Sequence, residues 1–333
     1  MPLPMVTLEP AGIRTTALGF GCAGLFRISS PAQRSRLLHT AYDAGIRHFD
    51  VAPMYGLGRA EPELGNFARA RRTDLTIATK FGINPTILAR GLGYAQGPVR
   101  HVFQARPAIR DYATAPAGPS RHLYEQKVYH AAGARRSLER SLRALHTDYV
   151  DLFLLHDPLP GSVRSDEVSS CLEDARTAGL IRSWGIAGEP ETTGEVARSF
   201  KGHIPIRQLR DDIFLRSLHP PQTETTAFIT YGVIARPLTC LVQYVGADDS
   251  RRLRWKKTIG ADCGNSEVAA SFLLRAAFRE NATGVVLFST THRSYIQNAV
   301  KTLEIASSSE DQRLDVFLQM VDDELLKIPA AER

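Results

Sequence analysis

The chain has 333 residues, of which 43% are hydrophobic and 23% charged, the proportions of an ordinary soluble globule. A net charge of +6 suits small anionic ligands such as phosphates, but the basic residues are spread along the chain, so no nucleic acid is expected as a partner. No apolar run is long enough to span a bilayer, so no membrane partner is expected. Met1 to Pro10 has no basic region followed by an apolar run, which predicts no signal peptide and a cytoplasmic protein. Cys22, Cys171, Cys240 and Cys263 are far apart and show no CxxC spacing. They read as buried free thiols rather than a zinc site or disulfides, and no metal is expected.

Thr15 to Phe20 reads as a first strand, with Gly21 and Gly24 loosening the loop after it. Ser30 and Pro31 are a cap and a first helical residue. Leu37, Leu38, Ala41 and Tyr42 then recur at helical spacing, and Gly45 stops the helix. A short strand ends at Asp50. Pro53 and Gly56 break it, Tyr55 sits in the break, and a helix runs from about 60 to 70. Leu75 to Thr79 is a strand ending at Lys80. From 82 to 124 the period is lost in a stretch rich in Gly, Pro, Ala and Arg, read as a long loop over the active face that shapes substrate access together with Met54 and Phe81.

Ala131 to His146 is helical, and Tyr149 to Leu155 is a buried strand ending in His156, Asp157 and Pro158. A helix from Ser165 to about Ala178, a strand from Ile181 to Ala187, a helix from Glu191 to Phe200 and a strand from Ile204 to Leu209 follow. A short helix near Thr223 to Ile229 and a strand from Gly232 to Ala235 are predicted next. The polar run Gly246 to Lys257 reads as a second excursion. Ser266 caps a helix to Glu280, Val285 to Phe288 is the last core strand, Thr290 or Thr291 opens another helix, and Arg313 to Leu326 is a terminal amphipathic helix. About eight strands alternate with helices, with no repeat or linker to divide them. Without a GxGxxG after the first strand, this pattern predicts one closed (β/α)8 barrel over residues 1–333; a doubly wound sheet is the alternative.

Asp50, Tyr55, Lys80 and His156 all fall at or just past strand ends, where barrels place their chemistry. Adjacent strands lie ~5 Å apart, so the four groups can converge. A lysine ammonium beside a tyrosine favours the phenolate. An aspartate holds the ammonium, and a histidine orients a substrate oxygen. The set suits proton delivery to a carbonyl oxygen while hydride reaches its carbon. No side chain donates hydride, so that reaction needs a nicotinamide.

On these residues the chain resembles the aldo-keto reductases. The segments that carry the resemblance are Leu18 to Gly21, Gly45 to Gly56, Glu61 to Gly65, Ala78 to Lys80 and Asp151 to Asp157. The resemblance implies a (β/α)8 barrel, NADP(H) rather than NAD(H) bound at the carboxyl-end face, and reversible reduction of aldehydes, ketones or sugars. It makes Tyr55 the general acid, tuned by Lys80 and Asp50, with His156 positioning the carbonyl. Cofactor contacts are expected from Gln208, at the nicotinamide, and from Gly21, Asp50, Arg236 and Leu238. Phosphate and adenosine contacts are expected from Ser289, Thr290, Thr291, Arg293, Tyr295 and Asn298. Three departures stand out. Ala187 and Gly188 replace a Ser-Asn pair at the carboxamide. Ala235 stands where many members stack a tyrosine. Tyr295 replaces the arginine at the 2'-phosphate, with Arg293 available to supply the charge. A nucleotide-binding regulatory subunit of the same fold, or a barrel hydrolase or lyase built on Asp50 and His156, are the competing readings.

Overall fold

The computed structural model describes residues 3–86, 129–218, 226–304 and 308–328. The 82–124 insertion lies outside the described residues from 87 onward. Two antiparallel strands come first, β1 (Met5–Leu8) and β2 (Ile13–Thr16). Eight parallel strands follow and close on themselves: β3 (Leu18–Gly21), β4 (His48–Asp50), β5 (Thr76–Phe81), β6 (Val150–His156), β7 (Ile181–Gly188), β8 (Ile206–Arg210), β9 (Ala227–Tyr231) and β10 (Val285–Phe288), with β10 returning to β3. The expected barrel is therefore what the chain forms. The predicted first strand splits in two. Ile13 to Thr16 belongs to the hairpin, and the barrel begins at Leu18.

The hairpin plugs the amino-terminal end of the barrel. Leu8 and Ile13 are fully buried in one cluster with the lumen residues Ala78, Leu152, Leu154, Ile206 and Ile229. The alternate residues of the strands face the surrounding helices: Phe20, Phe49, Ile77, Phe81, Phe153 and Leu155 join the outer core. Phe81 stacks on Phe153 there, with ring centroids 4.9 Å apart, between the strands and the surrounding helices. The first helix, α1 (Pro31–Asp43), has Ser30 as its cap, the Ser30 oxygen accepting from the Gln33 amide. Helix α2 (Ala60–Ala68) lies close on α3 (Ala131–Leu145) because Gly65 has no side chain: a Cβ there would come within 2.7 Å of the Leu145 Cα.

Helices α4 (Ser165–Thr177) and α5 (Pro190–Arg198) follow β6 and β7. Two predicted elements are corrected beyond them. Ala227 to Tyr231 is a strand, not the end of a helix, and Ala235 opens helix α6 (Ala235–Gly246) rather than closing a strand. The run Ala-Phe-Ile-Thr-Tyr is β-branched and aromatic, which favours the pleated and half-buried setting, and Gly232 with φ +81 ends it. The polar stretch taken as an excursion holds helix α7 (Asp249–Ile259), capped by the Asp248 carboxylate on the Arg251 amide. Its one-sided anchor is Trp255, fully buried among α6, α8 (Ser266–Glu280) and α10 (Ser308–Met320). Helix α9 (Arg293–Glu304) follows β10.

Candidate active site

Strand alternation and barrel stagger build the site. Asp50 pairs in register with Ala78, which leaves Lys80 two residues higher on β5. Lys80 pairs with Leu154, which leaves His156 two residues higher on β6. His156 pairs with Ala187, and Ala187 with Gln208. Side chains two apart share a face, so Asp50, Lys80, His156 and Gln208 all point to one end of the lumen. Tyr55 reaches the same place from a one-turn helix, Tyr55–Gly58, whose Gly56 and Leu57 are left-handed and fold the loop back over the strand end.

The Lys80 ammonium is bound by both Asp50 oxygens at 2.7 Å and by the Val51 carbonyl at 3.2 Å. It also lies 5.2 Å from the centre of the Tyr55 ring. The rings of Tyr55 and His156 meet edge to face at 6.0 Å and 86°. The four predicted groups therefore meet in one cluster. One expectation fails: Tyr55 is not pushed toward phenolate. Burial first, then the charges of Asp50 and Asp157 and the Cys22 thiol, raise its pKa well above the ordinary tyrosine value. The physical reason is that burial penalises the charged phenolate and the neighbouring carboxylates repel it. What results is a tyrosine that holds its proton.

Gln208 donates from its amide nitrogen to Asp50 Oδ2 at 3.0 Å. Its amide oxygen is buried and accepts nothing, an acceptor waiting for a donor. Gly21, at the end of β3, accepts from the Ser289 hydroxyl at 2.9 Å through its carbonyl, and a Cβ on Gly21 would collide with that hydroxyl. Thr290 accepts from the His292 amide through its hydroxyl at 3.1 Å, in the turn that opens α9. Arg293 is the first residue of that helix and is exposed. Tyr295 is 48% exposed and Asn298 half-buried, both on α9. Arg236 is exposed and Leu238 half-buried in the first turn of α6.

These positions follow neighbouring strands: Gln208 on β8, Arg236 after β9, Ser289 after β10 and Gly21 on β3. They trace a path across the barrel mouth from a buried amide acceptor to a helix start that favours phosphate. The donor set fits an extended dinucleotide. Among the described residues no cluster of three or more metal-ligating side chains occurs, and no helix is long and apolar enough to cross a membrane.

Sequence reasoning missed three pocket residues. Tyr231 ends β9; its hydroxyl is raised first by burial, then by Glu189, Asp157 and Tyr55. It, and not Ala235, is the side chain this strand brings to the site. Tyr129 donates its hydroxyl to the His156 carbonyl and so pins the end of β6. The charge of Asp157, which follows His156, raises the hydroxyls of both, after burial. The aromatic end of Ala227 to Tyr231 was the signal for Tyr231. No sequence signal marked Tyr129, which follows the long insertion.

The aldo/keto reductase family model matches residues 17–210, more than half of the chain. The chain belongs to the aldo/keto reductase family. It is 31% identical over 194 residues to a D-threo-aldose 1-dehydrogenase of a Pseudomonas species, covering 55% of this chain and 54% of that protein. It is 33% identical over 155 residues to a pyridoxal 4-dehydrogenase of Microbacterium luteolum, 45% of this chain and 42% of that protein. The match thus spans about half the length of these relatives. Among solved structures, an aldo-keto reductase from Klebsiella pneumoniae in complex with NADPH superposes with a TM-score of 0.62 at 20% identity, covering all of this chain and 98% of that one. That likeness is one of fold.

Proposed function

We propose that this protein is an oxidoreductase that moves hydride reversibly between NADP(H) and the carbonyl or alcohol carbon of an aldehyde, ketone or sugar, with Tyr55 as general acid and base. The carrying observation is the buried Lys80–Asp50 pair with the Tyr55 ring 5.2 Å from its ammonium and the His156 ring against that tyrosine. The dehydrogenases and reductase among its relatives support the reaction class.

When bound, the nicotinamide supplies the hydride that no side chain can give. The buried Gln208 oxygen is placed to accept from the carboxamide, where Ala187 and Gly188 offer no polar side chain. The helix start at Thr290 to Arg293 would hold phosphate, and Arg293 favours the extra phosphate of NADP(H). His156 hydrogen-bonds the substrate oxygen and orients it. Tyr55 gives its proton to that oxygen as charge develops there. Its raised pKa keeps the acid loaded, and Lys80 stabilises the phenolate left behind.

Fluorescence titration with NADPH and NADH side by side, followed by a carbonyl and sugar screen with the tighter nucleotide, tests the reading. Submicromolar to micromolar NADPH binding with turnover on at least one carbonyl is expected. No binding of either nucleotide refutes it.

A further inference from the structure

We propose that Tyr129 is a positioning residue for this reaction: its hydroxyl clamps the peptide unit that follows His156 and so fixes where the imidazole stands against Tyr55 and the substrate oxygen. This deepens the reductase reading and rests on it.

The peptide between His156 and Asp157 is held at both of its polar groups. Its N–H, the Asp157 amide, donates to the Ala187 carbonyl at 2.7 Å. Its carbonyl, that of His156, accepts from the Tyr129 hydroxyl. Peptide units are planar, so a rotation of this one breaks both bonds. The strand before His156 is fixed by its ladders to β5 and β7. With the peptide after it fixed as well, the direction of the His156 Cα–Cβ bond is set. The clamp stands where the sheet gives out. Strands β5 and β6 pair as far as Phe81 and Leu155, and Asp157 already turns away with a left-handed φ of +48. Past Phe81 the Tyr129 ring takes over the tie between the two strands. It lies on Gly82, where a Cβ would come within 2.1 Å of Tyr129 Cε1 and 2.8 Å of its hydroxyl oxygen. A residue without a side chain lets the phenol cross there from the end of β5, which carries Lys80, to the end of β6, which carries His156.

Tyr129 is itself held from several sides. Its carbonyl accepts from the Arg164 amide at 3.2 Å, and its backbone forms a parallel bridge with Val163. Its ring meets that of Phe81 at 6.0 Å and 62°. It is 1% exposed, so its hydroxyl serves the histidine backbone and not a ligand. That separates its role from those of Tyr55 and His156, which the reductase reading places on the reacting atoms. Burial, and secondarily Asp157, keep this hydroxyl protonated beyond the ordinary tyrosine range, so it remains a donor. The Tyr55 and His156 rings meet at 6.0 Å, and a turn of the His156 backbone would shift the imidazole against that tyrosine. A misplacement of ~1 Å can cost ~10²-fold in rate. A buried carbonyl left without its donor turns toward another, and the imidazole moves with it.

The test uses the purified full chain and Tyr129→Phe, which keeps the ring on Gly82 and against Phe81 and removes only the donor. With the carbonyl that the unaltered chain turns over fastest, kcat is expected to fall at least tenfold while NADPH affinity, read by fluorescence titration, stays within twofold. A kcat within twofold of the original overturns the proposal. So does a tenfold loss of NADPH affinity alongside the loss of kcat, because that is a general loosening of the barrel. A second readout needs no turnover: the imidazole signals of both proteins are recorded by NMR with histidine carrying ¹³C at Cε1. The His156 signal, identified by its loss in His156→Ala, is expected to shift or broaden in Tyr129→Phe. The His48 signal, identified by its loss in His48→Met, is expected to stay in place. A His156 signal that does not move, or one that moves together with that of His48, overturns the proposal. Absence of turnover on every carbonyl would count against the reductase reading alone, and the two histidine signals would still decide for or against Tyr129.

Discussion

Both carboxylate oxygens of Asp50 lie 2.7 Å from the ammonium nitrogen of Lys80, and the two side chains are only 4% and 2% exposed. A buried pair of this kind is held as a unit. Removing one partner strands a charge in a medium that solvates it poorly, at a cost of about 3–5 kcal/mol. Lys80→Met should therefore lower unfolding free energy by about that amount and abolish turnover. The double variant Asp50→Asn with Lys80→Met should be less destabilised than the two single losses summed, because no orphan charge remains. Urea unfolding of the four proteins gives the cycle; strict additivity would show that the pair does not act as a unit.

Tyr55→Phe keeps the ring that meets His156 and removes only the hydroxyl group. We expect kcat to fall by roughly 10²–10⁴, the range for loss of a general acid, with NADPH affinity changed less than threefold. Burial, Asp50 and Asp157 hold the hydroxyl protonated beyond the ordinary tyrosine range. Carbonyl reduction by the unmodified chain should consequently show no loss attributable to Tyr55 ionisation between pH 7 and about pH 10, the unperturbed tyrosine value. A descending limb centred near pH 8 that vanishes in no other variant would contradict this assignment.

His48 sits two residues below Asp50 inside the lumen, fully buried, with neither ring nitrogen hydrogen-bonded. Burial, and secondarily Lys80, lower its pKa to about 3, against ~6.5 in the unfolded chain. The unfolded state thus takes up a proton that the folded state refuses. Stability from this residue is fully present above pH ~6.5 and is lost as pH falls toward 3. His48→Met, of similar size and without a titrating group, should flatten that loss. The fall in Tm between pH 7.5 and pH 4.5 should be smaller in the variant; an equal fall would show that His48 is protonated in the fold.

Arg293 is the cation placed at the start of α9, where the phosphate of the cofactor would lie. Hydrogen bonds to charged groups contribute about 1.5–3 kcal/mol. Arg293→Ala should therefore weaken NADPH by about tenfold or more and leave NADH within twofold, as read by fluorescence titration. Equal loss for both nucleotides would place Arg293 outside the 2'-phosphate site.

What the sequence determined by itself was local. Strand-end polar residues, helix caps and the alternation of apolar runs are short-range signals, and from them came the eight-stranded barrel and the group of Asp50, Tyr55, Lys80 and His156. Where local signals conflict, the reading slips: Ala227 to Ile229 reads as the end of a helix and the next strand as starting at Gly232, so Tyr231 falls between the two. Tertiary structure alone decided which charge met which. Only the closed barrel sets Lys80 against both Asp50 oxygens and buries Tyr55 beside that carboxylate, which leaves its proton in place, and only the β6–β7 register sets Asp157 against Gly188, 31 residues further along the chain. Electrostatics depends on distance and burial in three dimensions, and neither is written in the spacing of residues along a chain.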